Sequence, residues 1–467
     1  MNEQYQQEFT ALSDRIWARP ELRWAEHYAV EAQIEVAEAH GLTVTREIGG
    51  IPTAFSADRG HGGPVIAFLG EFDALAGLNQ AAGSPVREPE PANPGDCGHG
   101  CGHHLLGTAS LLATVLTAEY LEAHDLPGTV RYFGCPAEEA SAGKAFMVAR
   151  GAFDGVDAAF TWHPAAVTRV AQRHTLAYCQ AYFHFTGRAS HAGGSPELGR
   201  SALDAVELMN VGVNFLREHM PGSARVHYAI LDAGGVSPNV VPAHASVYYV
   251  VRAQTVAEMR ALYDRVRKIA EGAALMTETE VAIDYDGGCS ELLANDVLDR
   301  AMSEVLQKLG PVPFDDADRR TAAAFLPGPA EVAAARRAAE IDPADPSPLH
   351  DGVVPFRENG DRPIAGTSTD VGDVSWTVPT AQCHIACDAL ATPAHSWQRV
   401  AQGKLPAAHK GMLHAAKVMA GTAVAAFTDP SLLAAARAEF DERLRGMPYD
   451  SPLPDGLLPP PLRAAPS

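Results

Sequence analysis

Apolar residues recur at helical spacing over residues 4–19 and 26–40, and Gly41 follows the second run where a helix end favours a left-handed residue. Short apolar runs then predict strands at 42–45, 64–69, 128–133 and 158–162. Helical patterns at 103–123 and 144–151 fall between them. Strands alternating with helices predict an α/β fold, a mixed, mostly parallel sheet covered by helices.

The pattern changes after residue 176. A strand over 178–187, a helix over 200–218, strands over 225–231 and 245–252, a helix over 256–275 and a strand over 280–285 follow in turn. That βαββαβ order is the ferredoxin-like plan of a small α+β layer. Helices at 295–309 and 410–427 then return to the first pattern, with a further one at 329–341. The expected organisation is a discontinuous catalytic domain over 1–176 and 289–447, an inserted lid and dimerisation domain over 177–288, and a proline-rich tail over 448–467. The stretch 311–362, rich in Pro, Asp and Ala, carries little other pattern.

A chain of 467 residues exceeds what one core organises, which fits two domains. A formal net charge of −21 argues against nucleic acid as a partner, since phosphate binding needs a basic surface. No unbroken apolar run is long enough to span a membrane, and the start is polar and mixed in charge. The seven scattered cysteines fit reduced thiols in a cytoplasmic protein better than a disulfide framework.

Candidate chemistry gathers at strand ends. Gly98-His99-Gly100-Cys101-Gly102-His103-His104 packs potential metal ligands into a glycine-rich turn before a helix. A flexible polar loop or a redox cysteine would read the same way in isolation. Glu138 and Glu139 follow the strand over 128–133, where one carboxylate can bind metal and the other accept a proton from water. Acids also favour a helix N-terminus without any catalytic role. His163 sits past the strand over 158–162, and His395 lies far downstream in Thr392-Pro393-Ala394-His395-Ser396-Trp397. The stretch 366–375 and the turn around His395 could each be ordinary surface turns. Ligands in an open α/β sheet collect beyond the carboxyl ends of the strands. Glu71, Asp73, Cys101, His103, Glu138, Glu139 and His163 all follow predicted strands or open the next helix, which favours one dinuclear site over separate surface features. A serine-nucleophile hydrolase is disfavoured, because no Gly-x-Ser-x-Gly elbow follows a strand.

The segments 70–77, 98–107, 158–164, 199–205, 225–230, 368–376 and 409–412 resemble the aminoacylase/carboxypeptidase metallohydrolase family, in the branch of indole-acetyl-amino-acid hydrolases. The resemblance covers nearly the whole chain. It implies two divalent metal ions, zinc or manganese, bridged by Cys101 and completed by His103, Glu139, His163 and His395. It implies Glu138 as general base and Asp73 as an acid supporting the ligands. Glu71 stands where other branches have a histidine ligand, which fits a site relying on Cys101 and His103 instead. His191 is implied to polarise the scissile carbonyl across a dimer interface, and Asn239 and Arg252 to hold the substrate carboxylate. From the residues alone these three read as a turn histidine, a turn former and a strand end. Three departures stand out: His104 where near relatives have Asn or Asp, Ala140 where a glycine is usual, and the stretch 311–362, whose composition differs from the family's. The implied activity is hydrolysis of an amide joining an acyl or aroyl group, such as p-aminobenzoyl, to an amino acid. The implied assembly is a homodimer or a heteromer with a related subunit.

Overall fold

The computed structural model describes residues 2–93, 95–358 and 360–462. The chain divides into a larger unit, Met1–Gln172, Leu293–Arg362 and Val374–Tyr449, and a smaller one, Arg173–Leu292, Pro363–Asp373 and Asp450–Ser467.

The larger unit is built on a seven-stranded sheet in the order Thr43–Arg46, Phe55–His61, Gly128–Cys135, Val65–Glu71, Ala158–Ala165, Thr380–Ala386, Arg169–Val170. The four strands from Gly128–Cys135 to Thr380–Ala386 are parallel, and antiparallel strands flank them. Ile66, Ala67, Phe68 and Leu69 are all buried although consecutive side chains point to opposite faces, so the central strand is covered on both sides. That is why its sequence is a continuous apolar run. Helix His103–Ala123 is buried almost all round, and it packs against Val65–Glu71 and helix Pro406–Thr428. Phe68, Phe160, Trp162 and Tyr132 are fully buried here, each ring worth about 1.5–3 kcal/mol of burial. Trp162 meets its polar requirement by donating to the Leu106 carbonyl at 3.0 Å.

Among the strands with no counterpart in the sequence expectations, two are long, Phe55–His61 and Thr380–Ala386, and the others are two-residue pieces such as Arg169–Val170. These two mix Ser, Asp, Arg, Gln and His with apolar residues, and each depends on a long-range partner for at least one side of its pairing. Helix Asp316–Ala323 in the patternless stretch is set by a capping box between Asp315 and Asp318, while Pro430–Arg443 starts on an Asp429 cap. No single helix among the described residues is long and apolar enough to cross a membrane.

The smaller unit has a four-stranded antiparallel sheet, ordered Arg225–Asp232, His244–Ala253, Ala177–Thr186, Glu280–Cys289. Helices Ala202–Leu216 and Val256–Thr277, capped by Ser201 and Thr255, pack on one face over a core that includes Phe183, Met209, Val247, Tyr249, Met259 and Val266. Strand His244–Ala253 shows the cause, because its alternate residues from Ala245 to Ala253 are the buried ones. The unit also recruits distant chain. Leu176 N–H donates to the Thr367 carbonyl at 2.8 Å, Ser290 Oγ donates to Asp373 at 2.9 Å, and Tyr285 Oη donates to the Pro452 carbonyl at 2.8 Å. Its limits therefore differ from the expected 177–288, and the described part of the expected tail is tied to it. Residues 463–467 of that tail lie outside the described residues.

Candidate metal centre

The centre lies in the larger unit, at the carboxyl ends of its parallel strands. Val65–Glu71 delivers Glu71 and, two residues on, Asp73. Gly128–Cys135 leads through Pro136 and Ala137 to Glu138 and Glu139. Ala137 is left-handed at φ 57°, which turns the chain sharply before the two carboxylates. His163 lies inside strand Ala158–Ala165 rather than past its end, paired in register with His384. Gly102 takes φ +84° before helix His103–Ala123, and a Cβ there would stand 2.7 Å from Pro164. Only glycine lets this turn place Cys101 and His103 side by side. His395, left-handed at φ 51°, is drawn in by its N–H donating to the Gly100 carbonyl at 3.0 Å.

The side chains converge closely. Cys101 Sγ lies 3.3 Å from His163 Nε2, and His395 Nε2 lies 3.3 Å from Glu139 Oε2. His103 Nδ1 is 2.7 Å from Asp73 Oδ1, while Asp73 Oδ2 accepts the Glu139 N–H at 2.9 Å. Asp73 thereby orients two predicted ligands at once. Cys101, His103 and His163 form one group with donor atoms within 4.8 Å of one another, and Cys101, Glu139 and His395 form another. Cys101 is common to both, the arrangement a bridging thiolate requires. His103 Nε2 and Glu139 Oε1 are buried without a hydrogen-bond partner of adequate geometry, as atoms reserved for a cation would be. The donor set, one thiolate, three imidazoles and a carboxylate, suits zinc or a similar divalent ion.

Electrostatics tie these groups together. Burial pushes the Cys101 thiol up, but the imidazoles of His163 and His103 overcome it and hold the thiol well below its usual range. Burial and the Cys101 thiolate lift Glu139 to about 7. Hydrogen bonds to Cys101 and Glu139 raise His395 to about 10. The cluster thus stores protons that a divalent cation would displace. Glu26, buried beside Asp73, is lifted to about 8 and accepts the Ala137 N–H at 2.8 Å, bracing the turn before Glu138.

A profile of the peptidase family M20/M25/M40 matches residues 67–446. The chain belongs to this family. Its peptidase chemistry makes the protein a hydrolase of amide bonds. The chain is 46% identical over 476 residues to one of the subunits of p-aminobenzoyl-glutamate hydrolase of Escherichia coli (strain K12), covering 98% of this chain and 97% of that one. It is 30% identical over 450 residues to the Xaa-Arg dipeptidase of Mus musculus, covering 93% and 89%. A Bacillus subtilis dinuclear metal-binding peptidase from the M20 family superposes with a TM-score of 0.56 at 18% identity, covering 91% of this chain and 99% of that one, which shows a shared fold.

Of the residues singled out in the M20 chain, Asp73, Cys101, His103, Glu138, Glu139, His163 and His395 come together. His191, Asn239 and Arg252 belong to the smaller unit. There the His191 segment pairs with Val240, and the Asn239 carbonyl accepts the Ala192 N–H at 2.9 Å. Arg252 donates to Ser368 Oγ at 2.7 Å and lies over the Tyr178 ring at 5.2 Å. His99 and His104 are engaged by backbone carbonyls, of Ile16 at 3.3 Å and Gly403 at 3.0 Å, and neither falls in a group of candidate ligands. The extra histidine at 104 is thus a buried structural residue. Sequence reasoning gave no role to Glu26 or Lys144; nothing local sets them apart from surface charges, and only their complete burial marks them.

Proposed function

We propose that the protein hydrolyses the amide of N-aroyl and N-acyl amino acids, with p-aminobenzoyl-glutamate as substrate. The observation that carries this reading is the pair of ligand groups sharing Cys101, with Glu138 Oε2 3.9 Å from His103 Nε2. The relative at 46% identity supports the substrate. Cys101, His103, Glu139, His163 and His395 would hold two divalent cations, zinc or manganese. Such cations, when bound, lower the pKa of water towards neutrality and polarise a carbonyl oxygen. Glu138 accepts the proton of the attacking water on its carboxylate and returns it to the nitrogen of the leaving amine. Asp73 holds His103 with Nε2 towards the cluster.

The substrate roles of His191, Asn239 and Arg252 rest on the family resemblance. Local geometry supports the first: His191 Nδ1 accepts the N–H groups of Gly193 at 3.2 Å and Gly194 at 3.0 Å, which leaves Nε2 as the protonated, donating nitrogen. A guanidinium suits a carboxylate, which supports the role of Arg252. Assembly as a homodimer, or with a related subunit, is supported by Leu208, Val211 and Phe215, which leave an exposed apolar stripe on helix Ala202–Leu216. Seven free cysteines support a reducing, cytoplasmic setting.

The test is p-aminobenzoate release by purified protein reloaded with zinc or manganese, against a chelated control. Glu138→Gln should lower kcat by about 10²–10⁴-fold while both cations still bind. Near-full activity in that variant would overturn the assignment of the base.

A further inference from the structure

Glu71 closes the central strand Val65–Glu71, and its side chain is 2% exposed. Its Oε1 lies 2.5 Å from the ammonium of Lys144, which is itself 0% exposed. Its Oε2 lies 3.2 Å from His103 Nε2. Since His103 Nδ1 is committed to Asp73, Nε2 is the nitrogen left for a cation. Two atoms bound to one cation at about 2.1 Å stand about 3.0 Å apart at an octahedral angle and about 3.4 Å apart at a tetrahedral one. The Glu71–His103 separation falls inside that window. So do the 3.3 Å separations of Cys101 from His163 and of Glu139 from His395, pairs that the resemblance assigns as ligands. Glu71, His103 and Glu138 also place one donor atom each within 4.8 Å of one another.

We infer that Glu71 is a sixth protein ligand, sharing a cation with His103, and that Lys144 is the positioning residue that aims it. The inference rests on the metal-binding reading above and goes beyond the five ligands named there. A buried ammonium next to a site that gathers dications would be repelled by them and would lose its own hydration. A carboxylate between them removes both objections, giving one oxygen to the ammonium and the other to the cation. In this chain Glu71 therefore complements Cys101 and His103 instead of being displaced by them.

Metal stoichiometry and affinity of the full chain, measured by calorimetric titration with zinc and with manganese, test this without substrate. Glu71→Gln should weaken one of the two cations by about 10–100-fold and leave the other unchanged. Replacing the pair together, Glu71→Leu with Lys144→Met, removes both charges at similar volume and should fold, binding one cation tightly. Two cations bound at wild-type affinity in either variant would overturn the inference. A structure of the metal-loaded wild-type protein decides it independently of any variant. Glu71 Oε2 should stand about 2.0–2.2 Å from a cation, and a separation beyond about 3 Å would overturn it. Wild-type protein that binds no cation would instead defeat the underlying metal-binding reading.

Discussion

Replacing Asp73 by asparagine changes almost no volume but breaks the symmetry of a carboxylate used on both sides. Oδ1 faces His103 Nδ1 at 2.7 Å and Oδ2 accepts the Glu139 N–H at 2.9 Å, with the side chain fully buried. An asparagine amide offers one acceptor and one donor. If its oxygen serves His103, its NH2 confronts the Glu139 N–H. If it serves Glu139, the NH2 confronts the imidazole N–H and favours the wrong tautomer. Losing a hydrogen bond to a charged group costs about 1.5–3 kcal/mol, and a buried N–H left unsatisfied costs about 1–3 kcal/mol. At a factor of ten per about 1.4 kcal/mol, either loss falling on the metal-bound state weakens cation affinity by about 10–100-fold. The assay is a competitive zinc titration of wild type and Asp73→Asn against a chromogenic chelator, with circular dichroism to verify the fold. A folded variant with wild-type zinc affinity would refute the claim that Asp73 acts through His103 and Glu139.

Cys101→Ser should weaken both cations together, because Cys101 is common to both ligand groups, whereas His395→Ala should weaken one. A Cys101→Ser protein that keeps one cation at full affinity would contradict the bridging role. Stability should also fall in acid. Burial and the charges of Arg169 and Arg336 depress His350 to about 4, and burial with Lys417 depresses His414 to about 4. Both are neutral in the folded state while the unfolded chain protonates near about 6.5, so their contribution is present above that pH and is lost as pH falls towards about 4. The limiting slope is about 1.4 kcal/mol per pH unit for each group. Melting curves at pH 7 and pH 5 check this: the drop should shrink in the His350→Gln/His414→Gln variant, and an unchanged drop would exclude these groups as the cause.

Much of this protein was legible without coordinates because local rules decided it. The apolar runs at 64–69 and 158–162 named buried strands, since a strand covered on both faces can carry nothing else. The glycines around Cys101 and His103 announced a turn that brings ligands together, and paired carboxylates after a strand announced divided roles. The βαββαβ order of the smaller unit was written in its switch between periodicities of two and 3.6 residues. What tertiary structure decided is pairing at long range. Thr380–Ala386 joins the parallel part of the sheet only through its register with Ala158–Ala165. His395 reaches Glu139 because a backbone hydrogen bond ties its turn to Gly100. Segment Pro363–Asp373 and the described residues from Asp450 on fold with the smaller unit through hydrogen bonds that no periodicity encodes. Glu71 is marked in the sequence by its place at a strand end, but its partner Lys144 is not, and the two become a buried pair beside His103 only when the strand end and a helix start meet. Propensity and periodicity act over a few residues, whereas the partner of a buried charge is set by whichever distant group the packed core brings within about 3 Å of it.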